Sequence, residues 1–232
     1  MATEHALLSL LGLGGLMPPP ILNHYTSMQG LLSIVETGRI RASHVRYLND
    51  SSEIATMWKV VLGRLKERLS AVEPTEDKTY LSEVIKLAES RPLSNEFVAS
   101  FSEKDDDLSQ WRSYCPSGAG FSIGFSSATL RSQWVSNPSG GEPSFVGAQL
   151  LKVLYLSEGD TAELDRTIDA IFELAARFHG TPGFYGPLSR EKIVPAWLSV
   201  IAPSYKNSAF RNESEWRLVL NKPHKPMPSA FP

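Results

Sequence analysis

Residues Glu96 to Ser102 read EFVASFS, and the chain changes character at this point. Phe97, Val98 and Phe101 favour extended backbone, and the segment has the length of one strand. Ahead of it, apolar residues recur at helical spacing. Ile54, Met57, Trp58, Val61, Leu62, Leu65 and Leu69 predict a long helix capped by the turn Asn49-Asp50-Ser51-Ser52, and a further helix is predicted over Lys78 to Glu89. Beyond it, Phe121 to Phe125, Leu150 to Leu156 and Glu215 to Leu220 read as strands. Helices interleave with them. One runs from a Ser126 or Ser127 cap to Trp134. One is amphipathic, from Thr161 to Phe178, on Leu164, Ile168, Ile171, Phe172, Leu174 and Ala175. One covers Ile193 to Ile201 despite Pro195. No steady β-α-β alternation develops, so the expected fold class is α+β with a mostly antiparallel sheet.

Further upstream, Ile21 to Tyr25 reads as a short buried strand, and Thr26-Ser27 offers an N-cap to the helix that follows. Leu31, Leu32, Ile34 and Val35 form that helix's apolar face. Gly38 stands where a left-handed C-terminal glycine belongs, and Ile40 to Ala42 reads as extended. The expected organisation is an apolar peg and proline spacer over residues 1–20, one domain over 21–221 and a proline-rich tail over 222–232. The peg, Ala6 to Met17, is too short to span a bilayer as a helix, for which about 20 residues are needed. It also lacks the basic flank of a secretory signal. It is expected to pack on the domain, on a second copy of the chain, or on an antitoxin-like partner, with no membrane involved. Pro223, Pro226, Pro228 and Pro232 exclude helix and central strand from the tail. Asn137 to Pro143 reads as a surface loop.

Composition bounds the chemistry. At 232 residues the chain is long enough to bury a core without metal or disulfide staples, and 42% hydrophobic content argues against global disorder. Twenty-three basic against 25 acidic residues give a net charge of −2, so no bulk positive field draws in nucleic acid. The basic run Arg39, Arg41, Arg46, Lys59, Arg64, Lys66 and Arg68 is read first as solvated helix surface, with a local nucleic-acid patch as the alternative. One cysteine, Cys115, excludes an internal disulfide and fits a reducing cytoplasm. The five histidines are scattered, so no metal site is expected. Neither a dinucleotide-binding glycine fingerprint nor a phosphate loop occurs. Gly120-Phe121-Ser122-Ile123-Gly124 matches the hydrolase nucleophile elbow by letter. A turn precedes it, however, and Ser122 falls mid-strand, while the triad partners in chain order would be Asp165 and His179.

Three segments carry polar groups into apolar strands: His24-Tyr25-Thr26, Ser100-Phe101-Ser102, and Glu213-Ser214-Glu215-Trp216-Arg217. Residues two apart on a strand share a face, so Ser100 should point with Ser102, and Glu215 with Arg217 and Glu213. Arg217 beside a carboxylate would hold it ionised. Each feature also has an ordinary structural explanation. A buried histidine, half-buried serines and a surface ion pair contributing about 0–1 kcal/mol would look the same singly.

Together with Arg46-Tyr47-Leu48-Asn49-Asp50, Gln110-Trp111-Arg112-Ser113-Tyr114 and Gly120 to Phe125, these segments resemble a bacterial domain-of-unknown-function family over about Leu22 to Leu220. They are also similar, more distantly, to the ADP-ribosyltransferase superfamily. Its opening strand bears His-x-Thr/Ser before a glycine-terminated helix, and many members carry Ser-x-Ser and Glu-x-Glu strands. That resemblance implies an ADP-ribosyltransferase-like, mostly antiparallel split sheet with flanking helices, and NAD as substrate. It implies that Glu215 grips the nicotinamide ribose, Glu213 orients the acceptor, and His24 and Thr26 hold NAD, with Tyr25 or Tyr47 stacked on nicotinamide. Ser100, Ser102, Gln110 and Arg217 complete the implied NAD-binding set. The implied activity is ADP-ribosyl transfer, or NAD glycohydrolysis, by a toxin- or defence-type protein with a protein or nucleic-acid acceptor. The alternatives are a non-catalytic nucleotide- or partner-binding module on the same fold, and a serine hydrolase using Ser122.

Overall fold

The computed structural model describes residues 17–47, 51–73, 76–90, 96–115, 119–132, 147–157, 159–180, 182–183, 186–187 and 189–221. Residues 6–16 of the peg, the Asn49-Asp50 turn, the 137–143 loop and the proline-rich tail lie outside them.

The elements run β1 (Ile21–Ser27), α1 (Met28–Thr37), β2 (Ser43–His44), α2 (Ser51–Ala71), α3 (Glu76–Ser90), β3 (Glu96–Ser102), α4 (Leu108–Tyr114), β4 (Gly120–Ser126) and α5 (Ser127–Ser132). Then follow β5 (Gly147–Lys152), β6 (Leu154–Leu156), α6 (Ala162–Phe178), a minimal hairpin of β7 (Pro182–Gly183) and β8 (Gly186–Pro187), α7 (Arg190–Ile201), β9 (Tyr205–Asn207) and β10 (Glu215–Asn221). This is a mixed α/β chain with an antiparallel sheet and flanking helices, as the change of period at Glu96 predicts. The main sheet is six-stranded, in the order β4-β1-β3-β10-β5 with β2 beside β3, and every pairing in it is antiparallel. In β6 and β9 the chain makes a separate parallel pair.

Pairing within this sheet is uneven. β1 runs along β4 from Ile21↔Ser126 to Ser27↔Gly120, and β10 runs along β3 from Glu215↔Ser102 to Asn221↔Glu96. Between β1 and β3 the register holds one pair, Asn23↔Ser102, and from there the two strands diverge. His24 fills the start of the gap, its ring Nδ1 donating to the Ser100 carbonyl at 2.9 Å. A side chain thus satisfies a backbone acceptor that a neighbouring strand would otherwise take.

Helix boundaries follow local chemistry. Ser27 caps α1 by accepting from Gly30 N, and Gly38 ends it at φ +64°, where a side chain would be strained. Gly30 has a second reason to be glycine: a Cβ there would sit 2.0 Å from Thr26 Oγ1. Asp107 caps α4, accepting from Ser109 N and Gln110 N. Two layers of core result. Helices α2, α3, α6 and α7 bury Leu65, Val84, Leu164, Ile168, Ile171 and Leu198 among themselves. On one face of the sheet lie Leu22, Ala99, Phe101, Leu130 and Trp216, and on the other a smaller cluster of Val45, Ile54, Val98, Leu151 and Val219.

Three expectations need correction. The strand expected over Leu150 to Leu156 is broken at Val153, whose N–H donates to Glu215 O at 2.9 Å. The first part pairs with β10 and the second with β9, so one apolar run serves two sheets. The extended piece expected at Ile40 to Ala42 becomes a paired strand only at Ser43–His44. Glu213 is not on the last strand. It ends a 3-10 run, Ser208–Glu213, and Ser214 in the left-handed region (φ 47°, ψ 47°) turns the chain into β10.

Candidate active site

A cleft of about 750 Å³ opens where β1 and β3 separate. Its walls are β1, the first turns of α1, the Arg39–Ser43 segment, β3, Gln110 and Tyr114 of α4, Lys206 of β9 and the start of β10. Of the residues predicted from sequence, His24, Tyr25, Thr26, Tyr47, Ser100, Gln110, Glu213, Glu215 and Arg217 all line it. Ser102 does not. Its hydroxyl donates to the Glu213 carbonyl at 2.7 Å and accepts from Lys104 N at 3.1 Å, fastening the turn that presents Glu213.

The floor of the cleft is a buried charge cluster. Arg217 grips Glu215 with two nitrogens, Nε to Oε1 at 2.7 Å and Nη2 to Oε2 at 3.0 Å, and donates from Nη1 to the Pro203 carbonyl at 2.6 Å. Lys206 Nζ lies 2.8 Å from Glu213 Oε2 and 3.5 Å from Glu215 Oε2. Ser100 adds a hydrogen bond to Glu215, and Tyr155 Oη accepts from Glu215 N at 2.9 Å. Burial pushes the Glu215 carboxyl up, but Arg217 and Lys206 outweigh it and hold the group below the usual carboxylate range. Glu213 goes the other way. Burial, with Glu215's negative charge adding to it, raises its carboxyl above the usual range despite Lys206. Two carboxylates a turn apart are therefore driven to different proton affinities, the pattern by which sites assign one acid/base and one permanent anion.

His24 lines the same cleft, its ring packed near Phe101 and Phe125. Burial lowers its pKa, and the Ser100 carbonyl opposes that shift only in part. Neutral, with the Nδ1 proton committed to Ser100, its ring keeps Nε2 as an acceptor. The two tyrosines differ sharply. Tyr25 is fixed: its hydroxyl donates to Lys104 O at 3.0 Å and accepts from Asp107 N at 3.1 Å, and its ring meets Trp111 edge-on at 4.8 Å. Tyr47 is 84% exposed at the cleft mouth, so its ring face is open to a ligand.

Reading by sequence missed Lys206. The Tyr-Lys-Asn of β9 is too short to show strand periodicity, and nothing local in the sequence marks Lys206 as a site residue. Arg39 and Arg41 are exposed, as solvated surface residues should be, and both also line the cleft. The lining then carries Arg39, Arg41, Lys206 and Arg217 against Glu213 and Glu215. The elbow geometry does not form, because Ser122 stays mid-strand opposite Tyr25, and Asp165 is bound by Arg64 at 2.8 Å and by Arg68. Among the described residues no helix is long and apolar enough to cross a membrane.

Residues 110–218 match the family model described as "Protein of unknown function (DUF2971)". The DUF2971 match takes in Gln110, Lys206, Glu213, Glu215 and Arg217, and it begins after β1 and β3, which supply His24 and Ser100. Searches of the curated proteins and of the solved structures returned no match.

Proposed function

We propose that this chain cleaves NAD at its ribose–nicotinamide bond and passes the ADP-ribosyl group to water or to an acceptor on a protein or nucleic acid. One observation carries the reading: His24 of β1, Ser100 of β3 and the Glu213–Glu215 pair converge on a single cleft at the split of the sheet. A volume of about 750 Å³ suits a ligand of dinucleotide size. The surplus of cations in its lining favours an anion.

In such a reaction the C1′–N bond breaks and its electron pair leaves with nicotinamide, through an oxocarbenium-like state. An ionised carboxylate stabilises that charge, and Glu215 is kept ionised by Arg217 and Lys206. As an oxygen of water or acceptor bonds to C1′, its proton passes to Glu213, which has the higher proton affinity of the pair. His24 Nε2 offers a fixed acceptor to a ribose hydroxyl, and Tyr47 offers a stacking face to a flat ring.

Nicotinamide release from NAD by the purified chain tests this. Glu215→Gln should lower the rate on the order of 10²-fold or more, and a native chain no faster than that variant would end the proposal. A second reading, nucleotide binding without turnover, has one observation in its favour: both Glu215 oxygens are already engaged by Arg217. Calorimetric NAD binding by a chain that releases no nicotinamide would select it.

A further inference from the structure

Lys206 is 2% exposed, yet its ammonium reaches the cleft floor from a different layer than the glutamates it meets. Glu213 and Glu215 come from the end of a 3-10 turn and the start of a sheet strand. Lys206 comes from β9, which pairs with β6 through Tyr155↔Lys206. The preceding residue, Tyr205, is buried in the helical core and shares a 2.6 Å hydrogen bond with Thr167 of α6. The ammonium also lies over the Phe210 ring at 4.4 Å from its centroid. Its position is therefore set from the helical side.

We infer that Lys206 is a positioning residue that divides the labour of the two glutamates, leaving Glu215 a fixed anion and Glu213 the group that exchanges a proton with the ligand. Glu215 spends both oxygens on Arg217, whereas Glu213 is held through Oε2 alone. Its Oε1 has no hydrogen-bond partner among the described residues. The ammonium, 2.8 Å from Glu213 against 3.5 Å from Glu215, lowers the pKa of the Glu213 carboxyl while burial draws it toward the neutral form. The charged and titratable groups facing this carboxylate are Lys206 from β9, Glu215 and Arg217 from β10, and the Tyr155 hydroxyl from β6. His24 also lines the cleft, its pKa lowered by burial.

The catalytic half of this inference rests on the NAD reading, but the electrostatic half does not, and the experiment separates them. Carboxyl-carbon NMR, with the Glu213 signal assigned by E213Q, follows its titration without any substrate. Removing the nearby positive charge in Lys206→Met or Lys206→Gln should move the Glu213 midpoint to higher pH, and Lys206→Arg should leave it near the native position. In nicotinamide release, the acidic limb of the pH–rate profile should move to higher pH in the uncharged variants and return with arginine, and E213Q should lose on the order of 10²-fold. A Glu213 midpoint unchanged in a folded uncharged variant overturns the inference. So does a rate loss with an unmoved acidic limb. A shifted NMR midpoint in a chain with no turnover upholds the placement of Lys206 and discards the NAD reading instead.

Discussion

The helical layer and the cleft floor are buried to nearly the same degree by opposite means. In the helices Leu65 and Leu164 are wholly inaccessible, among neighbours as apolar as themselves. In the cleft, Glu215 at 4% exposure and Arg217 at 5% are almost as dry, but each depends on a charged partner. Burial of a leucine side chain contributes about 1.5–3 kcal/mol outright. Burial of an ion pair roughly breaks even, because desolvation consumes what attraction returns. Stability therefore resides in the helices, and the cleft keeps charges that stability alone would replace.

That contrast breaks most visibly at Arg217. Arg217→Met strands Glu215 as a buried anion near the 3.5 Å Lys206 contact, and chemical denaturation should show a loss of about 3–5 kcal/mol. Adding Glu215→Leu should restore most of it, since a matched apolar pair suits a dry site. Failure of the double variant to recover would mean the charges do hold the fold. The native pair also has a pH signature. Glu215's folded pKa is depressed, so its contribution is present above its unfolded pKa and lost as pH falls through the folded one. Glu213's is raised, so its contribution has the reverse sign and is lost as pH rises.

Leu65→Ala probes the other side of the comparison. It should cost about 2–5 kcal/mol in the same denaturation experiment, with no change in ligand affinity or in the Glu213 titration. The smallest effect is expected at the junction of the two regions. Asp107→Ala removes the cap of α4, which carries Gln110 into the cleft, for about 0.5–2 kcal/mol. The Asp107 backbone N–H that holds the Tyr25 hydroxyl survives the substitution, so any weakening of ligand binding should stay small and come from fraying of α4 around Gln110.

What the sequence made legible divides along the same line. The amphipathic run at Leu164 to Ala175 and the Ser27 and Gly38 signals of α1 are local, and all three appear as read. Ser100 and Arg217 could each be named, but their position as direct cross-strand neighbours is a long-range register that periodicity does not carry. Lys206 escaped because a three-residue strand has no period to detect. Glu213 was placed on the right side of the molecule for the wrong reason. Alternation along a strand suggested it, whereas the left-handed Ser214 achieves it. Tyr25 and Tyr47 were equal as letters, and only packing separates a locked ring from an open one.

The seam between β1 and β3 has a mechanical consequence. A sheet joined along a full ladder resists opening with every rung, as β1 and β4 do. Across the seam the ladder is one register pair, supplemented by the His24–Ser100 and Tyr25–Lys104 hydrogen bonds and the packing of His24 on Phe101. Parting the sheet there leaves both long ladders intact, so the line of least resistance in the sheet runs through the ligand cleft. A ligand that takes the place of His24's hold on Ser100 would loosen the joint. One that bridges His24 to Glu215 would close it, acting as a rung the protein does not itself provide.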